Sequence, residues 1–491
     1  VSSKKKKNKA VAAASFSFGT FGSSGSASAT PAVSRPGKLS PSSLHTLLTT
    51  AVLYVFSQIL FLINIQFPEG FDFDEFHYVP SARQVLQRIE TQNWEHPPLA
   101  KEIIALGMWL FGDRPIGWRF MSTVFGSFTL VAMYLWALTL FRDRKIALWV
   151  ALLTIVNQLL YVQARIGMLD TFMVAFIIAA MASFTASWNV PEPLPAEADV
   201  LQRFFRGRNL LYMTGFFLGL ATCCKWFAII PWALCVALVA LVHLFRHWNV
   251  NFGPSESEEP EKDDWYNPNL WKGIRVLDWL LAFGVIPVVV YYIPFVQFFF
   301  LKNANHGILD VLFTMQYKMW DGQGRVVSSH PYMSHWMDWP TMHRPIWYVF
   351  DKSGAPPNEM VRGVLLLGNP IIMWAGLVAL VPCLWGWLVE RRRDAFIIVA
   401  SYVAFFFSWL VIPRKIEFFY YYYPAGMVLS LALGYVFFHG EKDTRIFPLQ
   451  WGRWVFLAVS LIFFIYFFPI SAALKIPAES FRAWMWFPNW I

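Results

Sequence analysis

Charge is what this sequence has least of. Only 14% of its 491 residues are Asp, Glu, Lys or Arg, against about 25% in ordinary soluble domains. That deficit excludes a soluble globular fold. The remaining charge is net +9, but it is spread over loops between apolar runs. A concentrated basic face for nucleic acid is therefore absent, and the positive-inside rule accounts for the excess. Cysteine is also scarce. Cys223, Cys224, Cys235 and Cys383 all fall within apolar runs, which leaves no disulfide framework, zinc site or redox centre and points to small buried side chains. The polar–apolar alternation of an outer-membrane barrel is missing as well.

What is present is apolar sequence in runs of about 20 residues, long enough to cross a hydrocarbon core of about 30 Å. The chain reads as an all-α polytopic membrane protein. Residues 1–44, opening "KKKKNK" and continuing in Ala, Ser and Gly, are expected to be a disordered basic tail on the cytoplasmic side, leaning on anionic lipid. They are not a signal peptide, because the basic cluster lies far ahead of an apolar run too long for one. Residues 45–491 are expected to form the transmembrane domain. Eleven spans are predicted at about 46–66, 115–141, 146–166, 168–188, 209–225, 226–245, 275–300, 361–389, 395–412, 419–438 and 454–473. With the N-terminus inside, the tight loops "RDRK" (142–145) and "ERRRD" (390–394) lie inside and the C-terminus outside. Two outer segments, 67–114 and 301–360, are too long for simple connectors. Their Trp, Tyr, Pro and His content suits elements lying in the headgroup layer. Within the first, "PSARQVLQRIE" has apolar residues at helical spacing and predicts a short surface helix.

In this topology, ionisable residues collect at the outer ends of the spans. Asp74 and Glu75 follow span one, Arg119 lies just inside span two, and Arg165 and Asp170 occupy the turn after span three. Lys225 separates spans five and six, and Arg414 and Lys415 follow span nine. A charge at membrane depth costs at least about 2.5–3.5 kcal/mol and commonly marks a site. Several on one side suggest an outward-facing polar cavity with both signs of charge. Carboxylates can take a proton from a hydroxyl and cations can hold a phosphate. Together they suit attack by an alcohol on a phosphate-activated group carried by a lipid. In "NWEHPPLAKEIIALGMWLFG" (93–112) the two prolines form a rigid stretch before a helix from Leu99, and they fix Glu95 and His96 near its N-terminus.

"DEFHYV", "HPPLAK", "GWRF" and "ARIGMLD", in that order, resemble the protein O-mannosyltransferase family, integral membrane enzymes of the GT-C glycosyltransferase fold. "GFFLGLATCCKW", "HPYMSHWMDWPTMHRPIWY", "GNPIIMW" and "FFYYYYPAG" extend the resemblance over about residues 50–440. Residues 301–360 leave no room for the β-trefoil (MIR) module of eukaryotic members, so the resemblance is to the bacterial type. It implies a polyprenyl-phosphate-mannose donor, a Ser or Thr hydroxyl of a translocated polypeptide as acceptor, and inversion at the anomeric carbon. It also implies Asp74 as catalytic base, Glu75 as the acid beside it that binds acceptor or donor, Arg119 as donor-phosphate ligand, and His96 as the head of the "HPPL" element. Arg165, Lys225 and Arg414 join the phosphate-binding candidates from topology. His77 and Asp170 join the substrate-binding ones. The expected location is a bacterial inner (plasma) membrane, with the site periplasmic or extracellular and membrane lipid as a further partner.

Plainer readings stand beside these. Asp74 and Glu75 suit an N-cap pair, Arg119 a snorkelling side chain, and Arg165 with Asp170 a salt bridge across a turn. Lys225 suits an interfacial anchor, and "FFYYYYP" an aromatic belt rather than a sugar platform. His77 and His96 suit hydrogen bonding rather than metal ligation, so no metal ligand is assigned. A divalent cation stays open because His330, His335 and His343 are also outer. Two rivals remain. An aminoarabinose-to-lipid A transferase shares the fold, but its counterpart of "HPPL" usually begins with lysine. A transporter or flippase would carry polar residues through the middle of several spans, and these span centres are nearly bare.

Overall fold

The computed structural model describes residues 39–188, 198–247, 265, 271, 274–325, 329–355, 357–439 and 449–490. The expected tail up to residue 38 lies outside the described residues, and the boundary at residue 44 moves. Ser40 caps a helix that starts at Pro41, its hydroxyl accepting from Ser43 N–H with proline at the first helical position. In chain order the helices are α1 (Pro41–Leu62), α2 (Glu75–Gln87), α3 (Leu99–Phe111), α4 (Pro115–Phe141), α5 (Arg144–Ile155), α6 (Gln158–Gln163), α7 (Leu169–Ser187), α8 (Val200–Phe204), α9 (Gly207–Cys224), α10 (Ile229–His247), α11 (Val276–Leu280), α12 (Ile286–Tyr292), α13 (Met315–Arg325), α14 (Pro370–Leu388), α15 (Arg393–Phe407), α16 (Tyr423–His439) and α17 (Leu449–Ser471).

Nine helical stretches among the described residues are long and apolar enough to cross a membrane, so this is a multi-pass integral membrane protein. Two expected spans look different. The run at 146–166 is split into α5 and α6 at Asn157. The Asn157 carboxamide oxygen caps α6 at Leu159 N–H and also accepts from Asn369 N–H. The run at 361–389 begins as a strand, and its helix starts only at Pro370, capped by Asn369. The stretch at 209–225 is continuous helix, α9, but is not one of the nine.

The sequence reading foresaw no sheet. Strands β1 (Ile346–Ser353), β2 (Met360–Leu366) and β3 (Ile476–Pro477) form an antiparallel sheet in the order β1-β2-β3. Ser353 pairs with Met360 at the hairpin end and Val361 with Ile476. Its apolar face (Trp347, Val361, Leu365) packs with Phe467, Ile470 and Trp490. The second long segment contains α13 and most of the hairpin. The first contains α2 and α3, so the surface helix expected from residue 80 starts five residues earlier, at Glu75.

The core centres on α7, whose best membrane window is 94% buried, whereas that of α1 is 17% buried. Leu47, Val52, Phe56 and Ile59 of α1 are exposed and suit contact with lipid. All four cysteines are free and buried. The N-termini of α4, α7 and α16 and the C-termini of α9 and α15 meet at one end of the bundle with α2 and α3. The loops 142–145 and 390–392 lie at the other end, since α4 alone spans about 40 Å at 1.5 Å per residue.

Candidate active site

The segment between α1 and α2 is held by one buried ion pair. Arg119, in the first turns of α4, donates Nε–H to Glu75 Oε1 at 2.8 Å and an Nη2–H to Glu75 Oε2 at 2.7 Å. Its remaining N–H groups reach the carbonyls of Ile65, Pro68 and Gly70. Every guanidinium donor is therefore used, and the side chains are 1% and 0% exposed. Glu75 is saturated too, since its oxygens also accept from Asp72 N–H and Gly167 N–H. Gly167 fits closely here, because a Cβ would lie 3.3 Å from Glu75 Oε1 and 3.2 Å from the Trp118 carbonyl, tight enough to push on the pair. Two expectations are corrected here. Arg119 has no donor left for a phosphate, and Glu75 has no oxygen left for a substrate. They form a clamp that fixes the loop.

Arg165 is also occupied. It donates to the carbonyls of Phe61 and Ile63 at the end of α1 and of Ser471 at the end of α17, over the ring of Tyr161 at 4.8 Å. A cation on helix C-terminal carbonyls opposes the macrodipole. Arg165 thus ties two spans together, with three of its five donors spent on helix-end carbonyls rather than offered to a phosphate. It makes no pair with Asp170, so that expectation is overturned as well.

Asp74 presents a different picture. It occupies the N-cap position of α2 but makes no side-chain cap, so the N-cap-pair reading fails. The preceding Phe73 adopts φ +42°, a left-handed conformation unfavourable for a bulky residue. Its ring is wedged among His330, Tyr348, Phe418 and Tyr420, and this packing offsets the backbone cost. The turn aims Asp74 inward. Oδ2 accepts from Tyr420 O–H at 3.2 Å and Tyr78 O–H at 3.4 Å. Oδ1 makes no hydrogen bond among the described residues, and it is not sealed in. Burial pushes the Asp74 carboxyl above its usual range, Lys225 opposes that rise and Asp170 reinforces it.

Lys225 follows the last residue of α9 and Asp170 lies in the first turn of α7, so both charges suit the helix dipoles. Lys225 Nζ donates to both Asp170 oxygens at 2.9 and 2.8 Å and lies 5.3 and 4.6 Å from the ring centres of Tyr420 and Tyr421. At 5% exposure Lys225 is no interfacial anchor. Tyr421 carries a second cation, Arg414, at 5.1 Å. Arg414 donates an Nη1–H to Gln323 Oε1 at 2.9 Å, while its Nε–H is buried without a partner. Tyr420, Tyr421, Tyr422 and Tyr423 are all buried. The aromatic-belt reading of "FFYYYYP" is therefore overturned; the rings of Tyr420 and Tyr421 line the site, and Tyr422 packs on Tyr402 and Phe406.

His96 lies across from this group, 6.2 Å ring to ring from Tyr78 and 8% exposed. Its carbonyl accepts from Lys101 Nζ at 2.8 Å, and its Nδ1 faces Gln323 Nε2 at 3.2 Å. Met315, Met319 and Gln323 share one stripe of α13. The two methionines are buried against Phe295 and Phe298, which seats the glutamine. His77 is exposed on α2, and its side chain makes no hydrogen bond among the described residues. Among the described residues no three His, Cys, Asp or Glu side chains gather as a metal site would require. His335 caps the turn Trp336–Asp338 and His343 meets Asn489, so the outer histidines are dispersed.

Two models of one family match the chain in succession. "Dolichyl-phosphate-mannose-protein mannosyltransferase" covers residues 113–301, and "C-terminal four TMM region of protein-O-mannosyltransferase" covers residues 308–490. The chain belongs to the protein O-mannosyltransferase family. Among similar members, the polyprenol-phosphate-mannose–protein mannosyltransferase of Mycolicibacterium smegmatis is 24% identical over 90% of this chain and 92% of its own length. That of Corynebacterium glutamicum is 26% identical over 85% and 88%. The fold is GT-C. One chain of the Saccharomyces cerevisiae Pmt1–Pmt2 protein O-mannosyltransferase complex superposes with a TM-score of 0.71 over 91% of this chain and 93% of that one, at 16% identity. ArnT from Cupriavidus metallidurans gives 0.50 at 16% identity, over 90% of this chain and 67% of that one.

Tyr78, Tyr420 and Gln323 were missed as site residues. The first two sit in quoted motifs, and the only prior signal was their proximity in sequence to Asp74 and Arg414. Gln323 had none, because its place depends on how the second long segment folds back.

Proposed function

We propose that the chain transfers mannose from a polyprenyl-phosphate carrier to Ser or Thr hydroxyls of proteins. One arrangement carries this reading for a member of this family: a reachable carboxylate oxygen, Asp74 Oδ1, beside two cations, Lys225 and Arg414, that share the ring of Tyr421. Asp74 Oδ1 takes the proton of the acceptor hydroxyl as its oxygen bonds to the anomeric carbon. The bond from that carbon to phosphate breaks, and the electron pair leaves with the polyprenyl phosphate. The leaving group needs charge stabilisation rather than a proton, and fixed cations supply it. A single displacement inverts the anomeric carbon. Of the neighbouring acids, Glu75 accepts four hydrogen bonds and has no acceptor site left for a covalent step, and Asp170 is paired with Lys225.

The site is assigned to the periplasmic or extracellular face of a bacterial inner (plasma) membrane, with the N-terminus cytoplasmic. The tight basic loops 142–145 and 390–394 lie at the opposite end of the bundle from Asp74, which supports this orientation. His77 and His96 remain the proposed substrate-contacting histidines, Asp170 orients Lys225, and no resident metal is invoked. The test is an assay of purified protein with labelled polyprenyl-phosphate mannose and both peptide and lipid acceptors. Label on Ser/Thr peptide is expected. Label on lipid alone, or on neither, overturns the assignment.

A further inference from the structure

His96 and Arg414 come from segments more than 300 residues apart, yet both bond to the carboxamide of Gln323. That carboxamide can be oriented in only one way. Arg414 has donors only, so the atom 2.9 Å from its Nη1 is the amide oxygen. The Glu95 carbonyl accepts only, so the atom bonded to it is the amide nitrogen. The same nitrogen faces His96 Nδ1 at 3.2 Å. Nδ1 must then accept, and a neutral imidazole that accepts at Nδ1 carries its proton at Nε2. Nε2 makes no hydrogen bond among the described residues and is not sealed in. The surroundings also oppose a charged ring. Burial comes first, then Lys225, Arg414, Lys101 and His77, and all of them push His96 well below the usual imidazole range.

We propose that Gln323 is a positioning residue that holds His96 as its neutral Nε2–H tautomer, making it a hydrogen-bond donor to a phosphate oxygen of the bound polyprenyl phosphate. The proposal rests on the mannosyl-transfer reading for its ligand but not for its tautomer. The site thereby combines two kinds of phosphate donor. Lys225 and Arg414 bring charge, whereas His96 adds a directed N–H without a third positive charge. Because one amide serves both His96 and Arg414, it also couples their positions.

The test is nitrogen NMR of the full chain in lipid nanodiscs, labelled in its histidine rings, with the His96 signals assigned by their loss in His96→Gln. The expected wild-type result is a proton on His96 Nε2 and none on Nδ1. Addition of polyprenyl monophosphate should shift the Nε2 signal. Gln323→Glu replaces the amide donor with acceptor oxygens, so Nδ1 should gain the proton. Donor KM should rise roughly tenfold for the loss of one such hydrogen bond. Side-chain mimicry gives an independent arm that leaves Gln323 in place. His96→Gln, with an amide nitrogen near the Nε2 position, should retain several-fold more activity than His96→Asn, whose nitrogen lies near Nδ1. A wild-type proton on Nδ1, an unshifted Nε2 on adding polyprenyl monophosphate, or equal activity of the two His96 variants overturns the proposal. A protein that has the expected tautomer and phosphate response but does not mannosylate peptide refutes the functional reading alone.

Discussion

Arg119→Ala should damage the fold rather than donor recognition. In the native protein the guanidinium is 1% exposed and spends every N–H on Glu75 and on three loop carbonyls. Its removal strands a carboxylate that is 0% exposed. Breaking one side of a buried ion pair costs about 3–5 kcal/mol, and each orphaned carbonyl that water fails to reach adds about 1–3 kcal/mol. Native stabilities are only about 5–15 kcal/mol, so the variant should lose a third of its stability or more. Glu75→Gln should fall in the same class. The double variant Arg119→Met with Glu75→Gln should cost less than the sum of the singles, because neither charge is left alone. The assay is thermal unfolding in detergent, followed by tryptophan fluorescence, together with donor KM on the fraction that stays folded. Arg119→Ala that unfolds at the wild-type temperature and shows only a raised donor KM would refute the clamp and restore Arg119 as a phosphate ligand.

Tyr420→Phe removes the closer hydrogen bond to Asp74 Oδ2. That bond favours the ionised carboxylate, so its loss raises a pKa that burial has already lifted. The base works ionised, and transfer should therefore fail at higher pH on the acid side. The acid limb of the rate profile should move to higher pH. A profile that does not move, or moves down, contradicts the hydrogen bond's role. Arg414→Gln should raise donor KM about 10- to 100-fold, the range for one charge-assisted bond, with little change in thermal stability. Unchanged donor affinity, measured by titration with polyprenyl phosphate, would remove Arg414 from the phosphate site.

Spans and their polar ends were readable because both rest on local signals. Apolar length sets a crossing, and a charge beside one is conspicuous. Asp74, Lys225 and Arg414 were found that way, and the structure brings them together. The errors came from the same reasoning. Arg119, Arg165 and Glu75 are equally conspicuous in sequence, but whether a buried charge is free or saturated depends on carbonyls and amides at the ends of other segments. Ser471 lies about 300 residues from Arg165, and Gly167 about 90 from Glu75. The β-hairpin escaped because, after Arg362 and Gly363, the apolar run 364–367 at the strand's end leads almost directly into the apolar helix α14. Only Asn369 and Pro370 mark where strand gives way to helix. The run of tyrosines suited an interface by composition, yet all four rings are buried, and the hydroxyls of Tyr420 and Tyr422 are spent inside, on Asp74 and on Tyr402.

The role of Asp74 is tested most directly by one variant in one assay. Purified Asp74→Asn should keep the wild-type unfolding temperature, since Oδ2 remains an acceptor for the two tyrosine hydroxyls. Its transfer of mannose from polyprenyl-phosphate mannose to a Ser/Thr peptide should fall about 10²- to 10⁴-fold, the usual contribution of a general base. A folded Asp74→Asn protein that mannosylates the peptide at the wild-type rate would contradict the account.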